Sequence, residues 1–80
     1  MSNTTYASQQ LVTAKEYLLQ SLNMLEQVRL LSLQSWSIES VSSTLNLMNK
    51  YISDMKSKLE LARISANNAH SAATTEVRNL

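Results

Sequence analysis

The 80-residue chain contains no glycine and no proline. Hairpin turns, bulges and tight connections in β and α/β proteins depend on these two residues. Their joint absence therefore favours long helices joined by few turns. Phenylalanine is absent as well, and leucine, alanine and methionine, which suit helices, are prominent among the apolar residues.

Cysteine is also absent, and His70 is the only histidine. Disulfides are therefore excluded, and a structural zinc site would lack ligands. Without glycine the chain has no phosphate-binding loop, and no serine stands out as the partner of His70 in a catalytic set. We therefore predict no enzymatic activity, no cofactor, no metal site and no small-molecule substrate.

The charges are balanced, with seven basic and six acidic residues and a net charge of +1. This balance argues against nucleic acid as the main partner, although Lys56, Lys58 and Arg63 could make a weak contact. No apolar run approaches the roughly 20 residues that span a bilayer. The first five residues lack the basic and apolar regions of a signal peptide. We therefore expect a cytoplasmic protein without a membrane span, and leave leaderless export open.

Apolar residues in the second half recur at alternating spacings of three and four. This period predicts one helix from about residue 38 to about 73 with a coiled-coil seam along one side. The seam begins with large aliphatic residues and ends in alanines. Its members are Ile38, Val41, Leu45, Met48, Ile52, Met55, Leu59, Ala62, Ala66, Ala69 and Ala73.

The first half has a similar but broader stripe, which predicts a helix from about residue 5 to about 33. Residues 1–4 and 74–80 lie outside both stripes, so we expect these ends of the single domain to fray. The stripe residues are Ala7, Leu11, Ala14, Leu18, Ser21, Leu25 and Val28.

The two stripes are out of phase by one residue. Extending the second seam backwards would place Gln34, Gln27 and Gln20 at positions that need apolar side chains. A break between residues 33 and 37 preserves both stripes. We therefore predict a turn at Ser35, Trp36 and Ser37, a sequence in which serine can cap a helix in place of glycine or proline. Trp36 would then pack on the following helix as a hydrophobic staple.

Two long amphipathic helices joined by a short connection usually pack antiparallel. The predicted fold class is therefore all-α, a two-helix antiparallel hairpin in which residue i lies opposite about 71 minus i. The absence of glycine at the turn keeps a helix-swapped dimer open. Because so short a chain buries only part of its surface, we expect a four-helix bundle or another coiled-coil oligomer.

Several large apolar residues lie off these stripes and would stay exposed on an isolated hairpin, as is typical of an interface. The function predicted is a non-enzymatic protein-interaction module, such as an oligomerising adaptor, chaperone or inhibitor. It would bind a protein partner or a second copy, most simply as a dimer. The alternatives are a nucleic-acid-associated regulator and a structural subunit of a bundle or filament. The predicted interface residues are Leu19, Leu22, Leu30, Leu33, Leu47, Tyr51, Leu61 and Ile64.

Overall fold

The computed structural model describes residues 2–34 and 37–79, and these form two helices. Helix α1 spans Asn3–Ser32 and helix α2 spans Val41–Arg78. The helices pack against each other as an antiparallel hairpin, so the predicted all-α fold class is confirmed. Helix α2 starts later than the expected residue 38 and continues beyond the expected residue 73. Fraying of residues 2–4 and 74–79 stays a prediction, and residues 1 and 80 lie outside the described part of the chain.

Helix α1 has a capped start and a tightened end. The Ser2 hydroxyl accepts a hydrogen bond from the Thr5 backbone N–H at 3.1 Å, which satisfies one of the donors left free at a helix start. At the other end, the Leu33 N–H donates to the Leu30 carbonyl and the Gln34 N–H to the Leu31 carbonyl, both at 3.2 Å. These i to i−3 bonds close α1 where the polar residues begin.

Two serines organise the approach to α2. The Ser37 N–H donates to the Ser40 hydroxyl at 3.0 Å, and the Ser40 N–H donates to the Ser37 hydroxyl at 3.2 Å. This reciprocal pair has the pattern of a capping box, with serine in the place of the usual acid or amide. Ser37 therefore caps the turn before Val41. Ser35 and Trp36 lie outside the described residues, so the staple formed by Trp36 stays a prediction.

The contact between the helices is built on small side chains. On each helix, two rows of residues repeat every seven positions and are buried or half-buried, and we call them the contact rows. Among the described residues only alanines and serines are buried there, with 3–8% of their surface exposed. The contact rows are Asn3, Ala7, Gln10, Ala14, Tyr17, Ser21, Met24, Val28 and Leu31 on α1, and Val41, Thr44, Met48, Tyr51, Met55, Lys58, Ala62, Ser65, Ala69 and Ala72 on α2.

Two contacts fix the register. The Asn68 side-chain amide donates to Gln10 Oε1 at 3.3 Å, and Lys58 Nζ lies 5.9 Å from the centre of the Tyr17 ring. The predicted register would instead place Gln10 opposite residue 61 and Tyr17 opposite residue 54. Because α2 begins at Val41, the chain reverses later than expected, and the partners of α1 lie further along α2.

The hairpin is a rod only two helices thick. It measures 64 × 15 × 14 Å and has a radius of gyration of 18.3 Å. A compact domain of this length has a radius of gyration of about 12 Å. Each helix therefore has one neighbour, and most of its circumference has no second layer to pack on.

Candidate interaction surface

Large aliphatic side chains line one side of the hairpin. Each directly follows a contact-row residue in the sequence, and the six are between 37% and 56% exposed. We call this surface the leucine face. It consists of Leu11, Leu18 and Leu25 on α1 and Leu45, Ile52 and Leu59 on α2.

Both helices contribute to the same side. One step along a helix turns the side chain by about 100°. An antiparallel pair is related by a twofold axis normal to the plane of the two helices, so equal rotations on α1 and α2 lead to the same side. The rows Leu11 to Leu25 and Leu45 to Leu59 are therefore neighbours across the groove between the helices. Each row extends over about 21 Å.

The predicted seam of α2 is divided by this packing. Val41, Met48, Met55, Ala62 and Ala69 lie in the contact rows. The intervening seam residues are exposed on the leucine face or beyond it. These exposed residues are Ile38, Leu45, Ile52, Leu59, Ala66 and Ala73.

The α1 stripe is divided in the same way. Its alanines Ala7 and Ala14 face α2, whereas Leu11, Leu18 and Leu25 do not. Away from the turn the helices therefore meet through alanines, whereas Val28, Met48 and Met55 occupy the contact rows nearer the turn. Alanine and serine allow the backbones to approach, and a leucine in the same row would hold them apart.

The predicted interface residues do not share one face. Leu19 and Leu22 lie on α1 beside the leucine face and line a shallow concavity of about 480 Å³ together with Leu25. Tyr51 is half-buried in the contact rows. Leu30 is 44% exposed and precedes the contact-row residue Leu31, so it lies on the side opposite the leucine face.

The other predicted interface residues lie away from the leucine face. Leu47, Leu61 and Ile64 each precede a contact-row residue, so they lie on the opposite side of the hairpin. Leu33 follows the end of α1 and is 69% exposed. The leucine face therefore includes large residues that were predicted to form the helix seam. It excludes several residues that were predicted to bind a partner.

Basic residues border the leucine face on both helices. Lys15 and Arg29 lie on the outer edge of the face on α1, and Lys56 and Arg63 on its outer edge on α2. Each of the four follows a contact-row residue, so it lies on the same side as the leucines but further from the neighbouring helix. Glu26 and Glu60 lie beside the two arginines, and Glu26 lines the same concavity as Leu25. Lys15 and Lys56 have no acidic partner among the described residues. The apolar surface therefore has two positive margins.

Both arginines hold a glutamate of their own helix. Arg29 donates two hydrogen bonds to Glu26, at 2.9 and 2.5 Å, and Arg63 donates two to Glu60, at 3.0 and 2.5 Å. These hydrogen bonds, with the arginine charge, lower the pKa of both glutamates. The pairs are exposed to water, so they contribute little to stability. Each pair has no net charge, so Lys15 and Lys56 supply the net positive charge at the two edges of the leucine face.

Among the described residues, the candidate basic residues and metal ligands do not form a second site. The lysines and arginine considered for nucleic acid are separated, because Lys58 packs over Tyr17 while Lys56 and Arg63 border the leucine face. In residues 2–34 and 37–79, no group of three or more His, Cys, Asp or Glu residues is placed to hold a metal ion. Within the same ranges, neither helix is long and apolar enough to cross a membrane.

No protein-family model, curated protein or solved structure matches this chain. Its function is therefore inferred from its own residues. The leucine face with its two positive margins is the feature that distinguishes one side of the hairpin from the other.

Proposed function

We propose that the chain is a non-enzymatic protein-interaction module that binds the helices of another polypeptide through the leucine face. The observation that supports this proposal is the six large aliphatic side chains, 37% to 56% exposed, that lie together on one side of the hairpin. Contiguous exposed apolar surface usually marks an interface. A helix that covers it would supply the second layer that a helical domain needs.

The exposed area supports the same proposal. The hairpin exposes 5878 Å² for a mass of 9.0 kDa. A compact monomer of that mass exposes about 4,900 Å². A standard protein interface removes about 800 Å² from each partner. One interface of ordinary size would therefore bring the exposed area close to that of a compact protein.

This activity requires no chemistry on the bound polypeptide. Holding a partner's amphipathic helix is sufficient for an adaptor, a chaperone or an inhibitor, because each role depends on covering an apolar surface. The helices that cover the leucine face can come from a second copy or from a different protein. With a second copy, a dimer would be the smallest closed four-helix bundle.

The first prediction concerns Leu18 and Ile52, at the centre of the leucine face. Leu18→Asp with Ile52→Asp should abolish binding of a synthetic amphipathic helix with a leucine seam and glutamine flanks. Each change should weaken binding at least about tenfold, because a buried leucine contributes roughly 1.5–3 kcal/mol. Fluorescence anisotropy of a labelled peptide measures binding, and light scattering measures the mass of the chain alone.

The matched control is Leu61→Asp, which introduces the same charge on the opposite side of the hairpin, where Leu61 is 38% exposed. It should bind the peptide as the unmodified chain does. Circular dichroism should show equal helix content in all variants, because none of the three residues lies in the contact rows. Equal loss of binding from Leu61→Asp would contradict the assignment to the leucine face. A chain that stays at 9.0 kDa and binds no leucine-seam helix would contradict the proposed function.

A further inference from the structure

Two lysines without an acidic partner lie at opposite edges of the leucine face. Four of the seven basic residues of the chain border this face. Arg29 and Arg63 are paired with Glu26 and Glu60, whereas Lys15 and Lys56 have no acidic partner among the described residues. The net charge of +1 does not require this arrangement. Apart from Glu26 and Glu60, the acidic residues of the chain are Glu16, Glu39, Asp54 and Glu76.

We infer that the leucine face binds an amphipathic helix of a different protein, one that carries acidic residues on both sides of its apolar seam. This inference rests on the proposed function and adds the chemistry of the partner. A third helix lying in the groove would place its seam on Leu18 and Ile52. Its flanking residues would then face Lys15 and Arg29 on one edge and Lys56 and Arg63 on the other.

The positive residues are distributed along the whole groove. The Gln10–Asn68 contact places Lys15 and Arg63 at about the same height along the hairpin axis. Leu22 and Lys56 share a second such level. Arg29 lies one heptad further along α1, at about the level of residue 49. Successive levels are seven residues apart, about 10.5 Å along the helices. Lys15 and Lys56, which have no acidic partner among the described residues, therefore lie on opposite edges about one heptad apart, the spacing of a heptad in a partner helix.

The two arginines can bind a partner although each already holds a glutamate. Arg29 and Arg63 use Nε and one terminal nitrogen for Glu26 and Glu60. A guanidinium has five N–H donors in a planar fork, so two donors on one glutamate leave others to approach a second carboxylate. Lys15 and Lys56 each provide a compact charge on a flexible stem.

A second copy of this chain fits the leucine face less well. When two identical faces meet, a positive edge of one copy lies against a positive edge of the other, whichever way the copies are rotated. Like charges facing each other across an interface disfavour that partner. An acidic helix converts the same edges into attractive contacts, which also raises the rate of association.

An anionic membrane is a weaker match than a helix. Basic residues beside an apolar helix face occur in helices that lie on membranes, but those faces commonly carry aromatic residues at the level of the lipid headgroups. The leucine face contains only Leu and Ile. It is also a groove between two helices, and a groove is complementary to a third helix.

The second prediction tests the charge of the partner with the full chain. Three synthetic helices share one leucine seam and differ only in flanking residues, which are glutamate, glutamine or lysine. The glutamate peptide should bind at least tenfold more tightly than the lysine peptide, with the glutamine peptide between them. Added salt should reduce this difference, because the charged edges are exposed to solvent. Fluorescence anisotropy at low and high salt measures all three affinities.

Charge reversal provides the matched test. Lys15→Glu with Lys56→Glu should make the lysine peptide the tightest ligand. The control Lys50→Glu makes a similar change on the opposite side of the hairpin, where Lys50 is exposed, and should leave the order of affinities unchanged. A reversal of preference that occurs only in the Lys15 and Lys56 variant would support the inference.

Other outcomes would overturn the inference in distinguishable ways. Equal binding of all three peptides, still dependent on Leu18 and Ile52, would refute the acidic partner and leave the proposed function intact. Self-association through the leucine face without peptide binding would identify a second copy as the occupant. Binding only to vesicles of phosphatidylserine and phosphatidylcholine would identify a membrane. If the chain binds no peptide, no vesicle and no second copy, both the inference and the proposed function fail.

Discussion

The Lys58 side chain shows how one polar residue influences the pairing of two helices. It lies half-buried in a contact row, with its ammonium group 5.9 Å from the centre of the Tyr17 ring. Such a cation–π contact contributes about 0.5–1 kcal/mol at an exposed site. A single lysine in a coiled-coil seam favours the register in which its charge finds a partner. Lys58 and Tyr17 therefore favour the observed register over alternatives shifted by one heptad.

The third prediction is about the Glu26–Arg29 pair. Arg29→Gln removes the charged hydrogen-bond donor, so the pKa of Glu26 should rise towards its ordinary value of 4.5. NMR titration of the side-chain carboxyl carbon measures this pKa. Glu60 provides the control, because Arg63 still holds its carboxylate and its lowered pKa should not change. An unchanged Glu26 titration in the variant would show that Arg29 does not cause the shift.

The same pair determines whether the free energy of unfolding rises or falls with pH. The pKa of Glu26 is lower in the folded chain than its ordinary value, so the charged carboxylate favours the folded state. This contribution is present above pH 4.5 and is lost as the pH falls through the lowered pKa. Because both side chains are exposed, the effect on the free energy of unfolding is small.

At the scale of helices, the separation of α1 and α2 is controlled by alanine. Ala14 is 6% exposed and Ala62 is 4% exposed, both in the contact rows. Their side chains leave room for the neighbouring backbone and exclude a larger group. Close packing of this kind tolerates added methylene groups poorly, because the surrounding atoms cannot move aside without strain.

The fourth prediction compares two alanines of α2. Ala62→Leu should lower the free energy of unfolding by about 1–3 kcal/mol, because the larger side chain forces the helices apart. Ala66→Leu makes the identical change at an exposed position and should alter the free energy of unfolding by less than about 0.5 kcal/mol. Urea denaturation followed by circular dichroism measures both. Equal effects of the two substitutions would contradict the observed orientation of α2.

At the scale of the whole molecule, the question is whether one chain closes on itself. The contact between Gln10 and Asn68 joins residues that are distant in sequence but adjacent within one hairpin. The serine pair Ser37 and Ser40 organises the chain where it enters α2. A helix-swapped dimer would preserve the same helix pairing but would form it between two chains.

The fifth prediction separates these arrangements. In Gln10→Cys with Asn68→Cys, a short bismaleimide should link the two positions within one chain. The native side chains are neighbours, with Asn68 Nδ2 3.3 Å from Gln10 Oε1. Mass spectrometry and denaturing electrophoresis should show a cross-linked monomer. The control, Gln10→Cys with Leu61→Cys, places the second thiol opposite Gln10 in the register predicted from the sequence, and should link less efficiently. A cross-linked dimer from the Gln10 and Asn68 variant would indicate helix exchange, and preferential linking of the control would contradict the register.

The sequence by itself determined that this protein is a pair of helices. The absence of glycine and proline excluded most other folds, and the glutamines at Gln20, Gln27 and Gln34 required a break between the stripes. The start of α2 was harder to predict from the sequence. Ser37 and Ser40 bond to each other across the turn before α2, and the presence of several serines does not specify which of them forms this cap. The assembly of hairpins into a four-helix bundle or another oligomer was expected from the same sequence and stays a prediction.

Only the tertiary structure decided which half of each stripe is covered. The α1 stripe is wider than the strip that one neighbouring helix can bury, and the α2 seam is bordered by further apolar residues, so periodicity alone allows more than one rotation of each helix. Close approach away from the turn selected the rows of Ala7, Ala14, Ala62 and Ala69, because only alanine and serine side chains are buried between the backbones. The seven-residue spacing of these small residues was the available signal. Once they face inwards, the geometry of the antiparallel pair places the six residues of the leucine face on one side and four of the basic residues along its edges.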